Sequence, residues 1–303
     1  MWSRGVGMAP AEDAEWMDGV VAEALRVKAA RLAGGDRTGF EFELLGQKAL
    51  DHRVGFGVKL GQYADREEQR LKGHTAHVWA VAECEELICS GSQDGLIRVW
   101  NLNGDLSDQP QRILVSEGAE QGVTSLSVWD GRLVSGHLSG KLRVWNVVTG
   151  ECNQILEGHT LAVHAVAVCG SRLTSGSMDE SIKVWAMDAA GPRKCERTLL
   201  GHTAWVNSLV GWQDKVLSGS DDNSIRVWDV GTGVHDATLT GHDDGVLGLA
   251  VHGDRLFSAS FDGTIRVWAL GTWEALRTVE ACVRESRPSC RQHPSCLAVS
   301  GSQ

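Results

Sequence analysis

Tyrosine and phenylalanine are scarce in this chain of 303 residues, with 1 Tyr and 5 Phe beside 12 Trp. Aromatic content built on one residue type points to a recurring unit that carries an indole in each copy. Long apolar runs are missing as well: no stretch approaches the roughly 20 residues that a membrane-crossing helix needs. Residues 1–10 lead into Glu12, Asp13, Glu15 and Asp18 rather than into an apolar signal segment. Together these absences predict an intracellular protein, cytoplasmic or nuclear, without a membrane partner. The eight cysteines, at 84, 89, 152, 169, 195, 282, 290 and 296, include no C-x-x-C pair, which argues for reduced, mostly buried thiols over a disulfide framework. Cys282, Cys290, His293 and Cys296 could ligate a metal, but their spacing fits none of the usual zinc patterns, so no metal and no cofactor are expected. Basic excess is lacking too. The 29 Lys and Arg stand against 39 Asp and Glu, a formal charge of −10, which is the reverse of a phosphate-neutralising surface and speaks against nucleic acid as partner. Residues 1–72 hold 11 basic and 12 acidic side chains, leaving 18 and 27 for residues 73–303. The acidity therefore belongs to the later part.

What the chain does have is an ordinary globular balance, 42% apolar and 22% charged, and length enough for a buried core. It also repeats. Ile97-Arg98-Val99-Trp100 returns as Leu142-Arg143-Val144-Trp145, Ile182-Lys183-Val184-Trp185, Ile225-Arg226-Val227-Trp228 and Ile265-Arg266-Val267-Trp268, at tryptophan intervals of 45, 40, 43 and 40 residues. Gly-His stands at 73–74, 158–159, 201–202 and 241–242, each His 26 residues ahead of its Trp. Ten residues ahead of Trp lies Ser90, Ser135, Ser175, Ser218 or Ser258. Six ahead lies Asp94, Ser139, Asp179, Asp222 or Asp262. The second unit departs, with Ala119 for His and Ser139 for Asp, and is expected to be the weakest.

Short apolar runs such as Val78 to Ala82, Leu87 to Cys89 and Ile97 to Trp100, parted by Gly, Asp and Ser, read as strands. A fourth run, Ile113 to Val115, precedes the next Gly. Four strands in about 40 residues make a propeller blade. Gly-His, then a Ser-Gly-Ser-x-Asp turn, then an Ile-Arg-Val-Trp strand resembles the WD-repeat β-propeller family over roughly residues 65 to 280. The expected fold is all-β: five four-stranded blades plus an incomplete sixth, with a short N-terminal helical segment. The Trp-Asp dipeptide itself is literal only at Trp228-Asp229, with Asn101, Asn146, Ala186 and Ala269 elsewhere.

Ser, His and Asp together suggest a base-activated hydroxyl and hence a hydrolase. Repetition argues otherwise, because catalysis needs one copy in one cleft, whereas here the trio recurs four times, each tied to an indole that can only donate. No catalytic residue is therefore assigned, and a catalytic propeller stands as the alternative. The resemblance implies four structural tetrads: His74, Ser90, Asp94, Trp100; His159, Ser175, Asp179, Trp185; His202, Ser218, Asp222, Trp228; and His242, Ser258, Asp262, Trp268. Arg98, Arg143, Lys183, Arg226 and Arg266 are expected to cover apolar surface with their stems and to pair with carboxylates or indoles.

In such propellers the residue before the turn Asp and two residues of the first strand line the face that contacts partners. These would be His77, Trp79 and Gln93; Gly122, Thr124 and Leu138; Ala162, His164 and Met178; Trp205, Asn207 and Asp221; Gly245, Leu247 and Phe261. None is Lys or Arg, which disfavours a phosphorylated peptide, while Trp79, Leu138, Met178, Trp205, Leu247 and Phe261 suit an unmodified one. The implied function is a protein-interaction scaffold or adaptor, not an enzyme, in the manner of ubiquitin-ligase substrate receptors or signalling platforms.

Residues 1–64 form an extension of unassigned role. Residues 11–33 show helical periodicity ending at Gly34-Gly35, and Gly55-Phe56-Gly57-Val58-Lys59-Leu60-Gly61 reads as a linker or short hairpin, since no βαβ unit surrounds it. Residues 65–303 are assigned to the propeller. Cys296 to Gln303 resembles the start of a sixth unit, so the sequence is expected to be truncated, a fragment with unpaired strand edges.

Overall fold

The computed structural model describes residues 42–44, 69–71, 73–84, 87–101, 110–115, 122–188 and 191–280. All regular elements among them are strands. Five four-stranded antiparallel sheets follow one another along the chain, each a meander in sequence order. The first blade comprises β3 (Val78–Cys84), β4 (Leu87–Ser92), β5 (Leu96–Asn101) and β6 (Arg112–Val115); the second, β7 (Val123–Trp129), β8 (Arg132–His137), β9 (Leu142–Asn146) and β10 (Cys152–Leu156). The third holds β11 (Val163–Cys169), β12 (Arg172–Ser177), β13 (Ile182–Asp188) and β14 (Gly191–Leu199). The fourth holds β15 (Val206–Trp212), β16 (Lys215–Ser220), β17 (Ile225–Asp229) and β18 (His235–Leu239). The fifth holds β19 (Val246–His252), β20 (Arg255–Ser260), β21 (Thr264–Ala269) and β22 (Ala275–Glu280). First strands pack on first strands, β3 on β7, β7 on β11, β11 on β15 and β15 on β19, so the blades stand side by side with their inner edges together, the propeller arrangement that the repeat predicts.

The core lies between blades, not within them. Second and third strands are covered on both faces and read as nearly continuous apolar runs for that reason. From the second blade on, the repeat Trp packs on the blade before it: Trp145 against Ile97, Val99 and Leu114, Trp185 against Leu142, Val144 and Leu156. Trp228 meets Ile182, Val184 and Leu199 in the same way, and Trp268 meets Ile225, Val227 and Leu239. Close approach explains a further repeated residue. A Cβ built on Gly91, Gly136, Gly176 or Gly219 would come within 2.5 to 2.8 Å of Val123, Val163, Val206 or Val246 on the next blade's first strand. The fifth unit carries Ala259 at this place.

Two features differ from the sequence-based expectation. The outer hairpin of the third blade runs on past Trp185 to pair Met187 with Pro192 and Asp188 with Gly191. A separate two-stranded ladder joins β1 (Phe42–Leu44) to β2 (Gln69–Leu71), so one strand from the extension pairs with one inside the span assigned to the propeller. β2 ends two residues before Gly73, as β10 ends before Gly158, β14 before Gly201 and β18 before Gly241; it occupies the fourth-strand place of a preceding unit. The helical expectation for 11–33, the Gly55 to Gly61 stretch, Ala119, the Cys282 to Cys296 group and the incomplete sixth unit all lie outside the described residues.

Candidate functional site: the repeated polar networks and the turn-bearing face

Each repeated tetrad is one hydrogen-bonded chain. In the first blade Trp100 Nε1 donates to Ser90 Oγ at 2.9 Å, Ser90 Oγ lies 2.8 Å from His74 Nε2, and His74 Nδ1 lies 2.8 Å from Asp94 Oδ2. The carboxylate can only accept from Nδ1, which leaves Nε2 to accept the Ser hydroxyl proton. Asp94 also accepts the Thr75 and Leu96 amides at 3.1 and 3.0 Å, so it pins both ends of the turn. The same chain recurs through His159, Ser175, Asp179 and Trp185, through His202, Ser218, Asp222 and Trp228, and through His242, Ser258, Asp262 and Trp268. The four hydroxyls are buried beneath indoles, with Ser175 and Ser218 fully enclosed. A substrate carbonyl has no approach to them, and each hydroxyl is already engaged by an indole and an imidazole.

Burial by itself would raise the turn carboxyls, but hydrogen bonds from His74 and the neighbouring amides outweigh it and hold Asp94 at about 2. Asp262 is likewise held at about 2 by Thr264 and His242 against the same desolvation. Asp179 and Asp222 sit well below the usual carboxylate range, each against burial, through their histidines and through Ser181 and Ser224. Burial also lowers the pKa of His242, with Asp262 opposing it in part. In the fifth blade the network is thus a neutral imidazole on an ionised carboxylate.

The second blade replaces its missing imidazole in a way the spacing argument overlooks. His137, in the place where other units have Ser92, Ser177, Ser220 and Ser260, is 1% exposed, and its Nε2 lies 2.7 Å from Ser135 Oγ, which accepts the Trp145 indole N–H at 2.8 Å. The signal was legible as Ser-Gly-His where Ser-Gly-Ser recurs. Ser139, in the Asp place, accepts a long 3.4 Å bond from the Lys141 amide. The repeated cations also find partners other than the carboxylates and indoles expected for them. Arg98 Nη2 donates to the Gly73 carbonyl at 2.6 Å, and a Cβ on Gly201 or Gly241 would lie 2.7 Å from the guanidinium of Arg226 or Arg266. Arg98 thus caps the Gly-His turn of its unit, while Lys183 Nζ donates to Thr198 Oγ1 at 3.0 Å.

Asn146 and Asp229, the residues after Trp in their units, bend the outer hairpin. Asn146 Oδ1 accepts the Val148 and Thr149 amides at 2.9 and 3.0 Å, and Asp229 Oδ1 accepts that of Thr232 at 2.7 Å.

The fifteen face positions come together through five equivalent backbone bonds. The amide of Gln93 donates to His77 O, Leu138 to Gly122 O, Met178 to Ala162 O, Asp221 to Trp205 O and Phe261 to Gly245 O, at 2.8 to 3.1 Å. A register shift near the start of each first strand, such as that between Val206 and Ser208, makes this junction. Side-chain fates differ. Trp205 and Leu138 are 44% and 40% exposed, Gln93 is exposed, and Trp79, His77, His164, Met178, Asp221, Leu247 and Phe261 are half-buried. Thr124 and Asn207 are buried linkers between blades, Thr124 Oγ1 donating to Val163 O and Asn207 Nδ2 to Val246 O at 3.3 Å. Trp79 lies over Gly122, where a Cβ would meet its ring at 2.9 Å. It packs between blades as much as it faces outward.

Comparison with known proteins follows the same division of units. The family model described as "WD domain, G-beta repeat" matches residues 66–101, 150–186, 193–229 and 233–269; the unit lacking the Gly-His imidazole and the turn Asp is not among these four stretches. The chain is 35% identical over 104 residues to zinc finger CCCH domain-containing protein 17 of Oryza sativa subsp. japonica, covering 34% of this chain and 23% of that protein. It is 34% identical over 95 residues to cell division control protein 4 of Candida albicans, covering 31% and 13%. WD repeat-containing protein pop2 of Schizosaccharomyces pombe is 35% identical over 94 residues, with 26% and 13% covered. The chain therefore spans less than a quarter of the length of these curated relatives. Among solved structures, the WD40 beta propeller domain of Doa1 superposes with a TM-score of 0.62 at 24% identity, covering 70% of this chain and 72% of that one. The computationally designed Ika8 protein gives 0.60 at 33%, covering 70% and 65%.

Proposed function

The chain belongs to the WD-repeat β-propeller family, whose members generally serve as protein-interaction scaffolds, and from that premise we propose that it is an adaptor binding an extended peptide segment of a partner protein on its turn-bearing face. One observation carries the reading: five identical strand–turn junctions gather Leu138, Met178, Trp205 and Phe261 onto one face with no Lys or Arg at any of its fifteen positions. Aromatic and thioether side chains that are at least partly exposed on a rigid frame are what interface centres are made of. A receptor for a modification enzyme and a signalling platform would both use this one act of binding. The proposal places the chain in the cytoplasm or nucleus, where Cys84, Cys89 and Cys169 stay as buried thiols. It assigns no catalytic role, since the Ser-His-Asp sets are enclosed under indoles.

The test is affinity capture from native extract with the full chain, comparing wild type with the double variant Trp205→Ala, Phe261→Ala. Proteins retained by wild type and lost from the variant, with melting unchanged, are the expected result; equal retention by both would remove this face from the function. Trp79 is a poorer choice, because its indole also fills space over Gly122.

A further inference from the structure

We propose that the peptide bound on this face presents a basic side chain, arginine or lysine, which lies against the Trp205 indole and pairs with the Asp221 carboxylate. The inference rests on the peptide-binding reading above and adds the chemistry of the residue at its centre. Trp205 is the most exposed aromatic of the described residues, and its ring is not loose: it stands edge-on to His164, centroids 5.9 Å apart at 84°. The Asp221 amide donates to the Trp205 carbonyl at 3.0 Å, so the two residues adjoin across the junction, the indole reaching toward His164 and the carboxylate toward Asn207.

The carboxylate is held in place before any ligand arrives. Asn207 Nδ2 donates to Asp221 Oδ1, and the same amide group reaches Val246 O on the next blade at 3.3 Å. Beneath it, Gly245 is needed, because a Cβ there would sit 2.7 Å from Asp221 Oδ1. The residues just before Gly245, Asp243 and Asp244, are exposed, and Glu180 is exposed on the turn of the third blade. A π face beside a fixed carboxylate, with exposed acids on the adjoining turns and no Lys or Arg at the face positions, favours a cation by both quadrupole and Coulomb attraction. Other occupants fare worse. An acidic or phosphorylated segment meets like charge, and a wholly apolar one would strip water from the Asp221 carboxylate and supply no opposite charge in return. Arginine suits the site best, since its planar group can stack on the indole while it forks onto a carboxylate.

The experiment pans a random linear twelve-residue peptide library, displayed on phage, against the immobilised full chain and its Asp221→Asn variant. Wild type is expected to enrich peptides with Arg or Lys at a fixed offset from an apolar residue. A synthetic enriched peptide should then bind Asp221→Asn about tenfold more weakly and lose affinity as salt rises. Replacing an arginine of that peptide by citrulline, or a lysine by norleucine, removes the charge with little change of shape and reads the same contact on the unaltered protein. Peptides that are enriched by wild type and lost from Trp205→Ala, Phe261→Ala, yet show no basic preference or bind equally in the uncharged form, would overturn this inference while leaving peptide binding intact. Should wild type enrich nothing, or the double variant keep the same peptides, the peptide-binding reading falls and this inference with it.

Discussion

At the scale of single residues, one serine oxygen per blade is the hub, accepting an indole proton and giving its own to an imidazole. Trp228→Ala would remove that donor and empty the space between the third and fourth blades, a loss on the order of 3 to 5 kcal/mol. It should appear as a lower urea midpoint; a midpoint equal to wild type would contradict the buried contacts. His137→Ala should cost about 1 to 3 kcal/mol by stranding the Ser135 hydroxyl. That outcome, read from the same melts, separates a working substitute from a bystander. The tetrads were readable because their contacts need fixed offsets of 26, 10 and 6 residues from Trp. His137 escaped that reading because it reaches Ser135 from two residues along the same strand, a route the common spacing does not contain.

At the scale of elements, the second strand of each blade needs glycine where the next blade's valine approaches. Gly176→Ala places a Cβ 2.5 Å from Val206 Cγ1 and should destabilise by about 1 to 3 kcal/mol through overpacking. Gly253→Ala, in a turn at φ 56° with open space around it, is the comparison for backbone strain without crowding. If Gly176→Ala melts no earlier than Gly253→Ala, the blades are not in close contact there. Strand order and turn positions follow from the alternation of apolar runs with Gly, Asp and Ser. The long β13–β14 hairpin does not, because Gly191-Pro192 carries the marks of a loop yet continues the ladder on an outer edge, where a missing N–H costs nothing.

For the whole molecule, four depressed carboxyls and one depressed imidazole act in the same direction. Each group whose folded pKa lies below its unfolded value adds stability that is complete above the unfolded value and is lost as pH falls toward the folded one. The His242 share should begin to fade below about pH 6.5, and the larger share of Asp94, Asp179, Asp222 and Asp262 between about pH 4 and 2. Melting temperature should therefore be flat from pH 8 to 7, decline gently below 6.5 and steeply below 4. In Asp222→Asn the steep limb should be shallower; an identical acid limb would place the cause elsewhere. The face proposed for partner binding belongs to this scale as well, since its five junctions come from five separate units.

Local sequence was sufficient for the unit and its tetrad, since strand period, turn chemistry and hydrogen-bond spacing act within some 40 residues. Which face side chains remain outside was decided only by assembly. Trp79 and Trp205 are both indoles at face positions, Trp79 in the place of Asn207 and Trp205 in that of His77, yet one is drawn over Gly122 and the other stays 44% exposed. The reason is physical: burial at these positions depends on the neighbouring blade, whose small or large residue lies about 40 positions away in sequence and becomes a neighbour only when the blades pack.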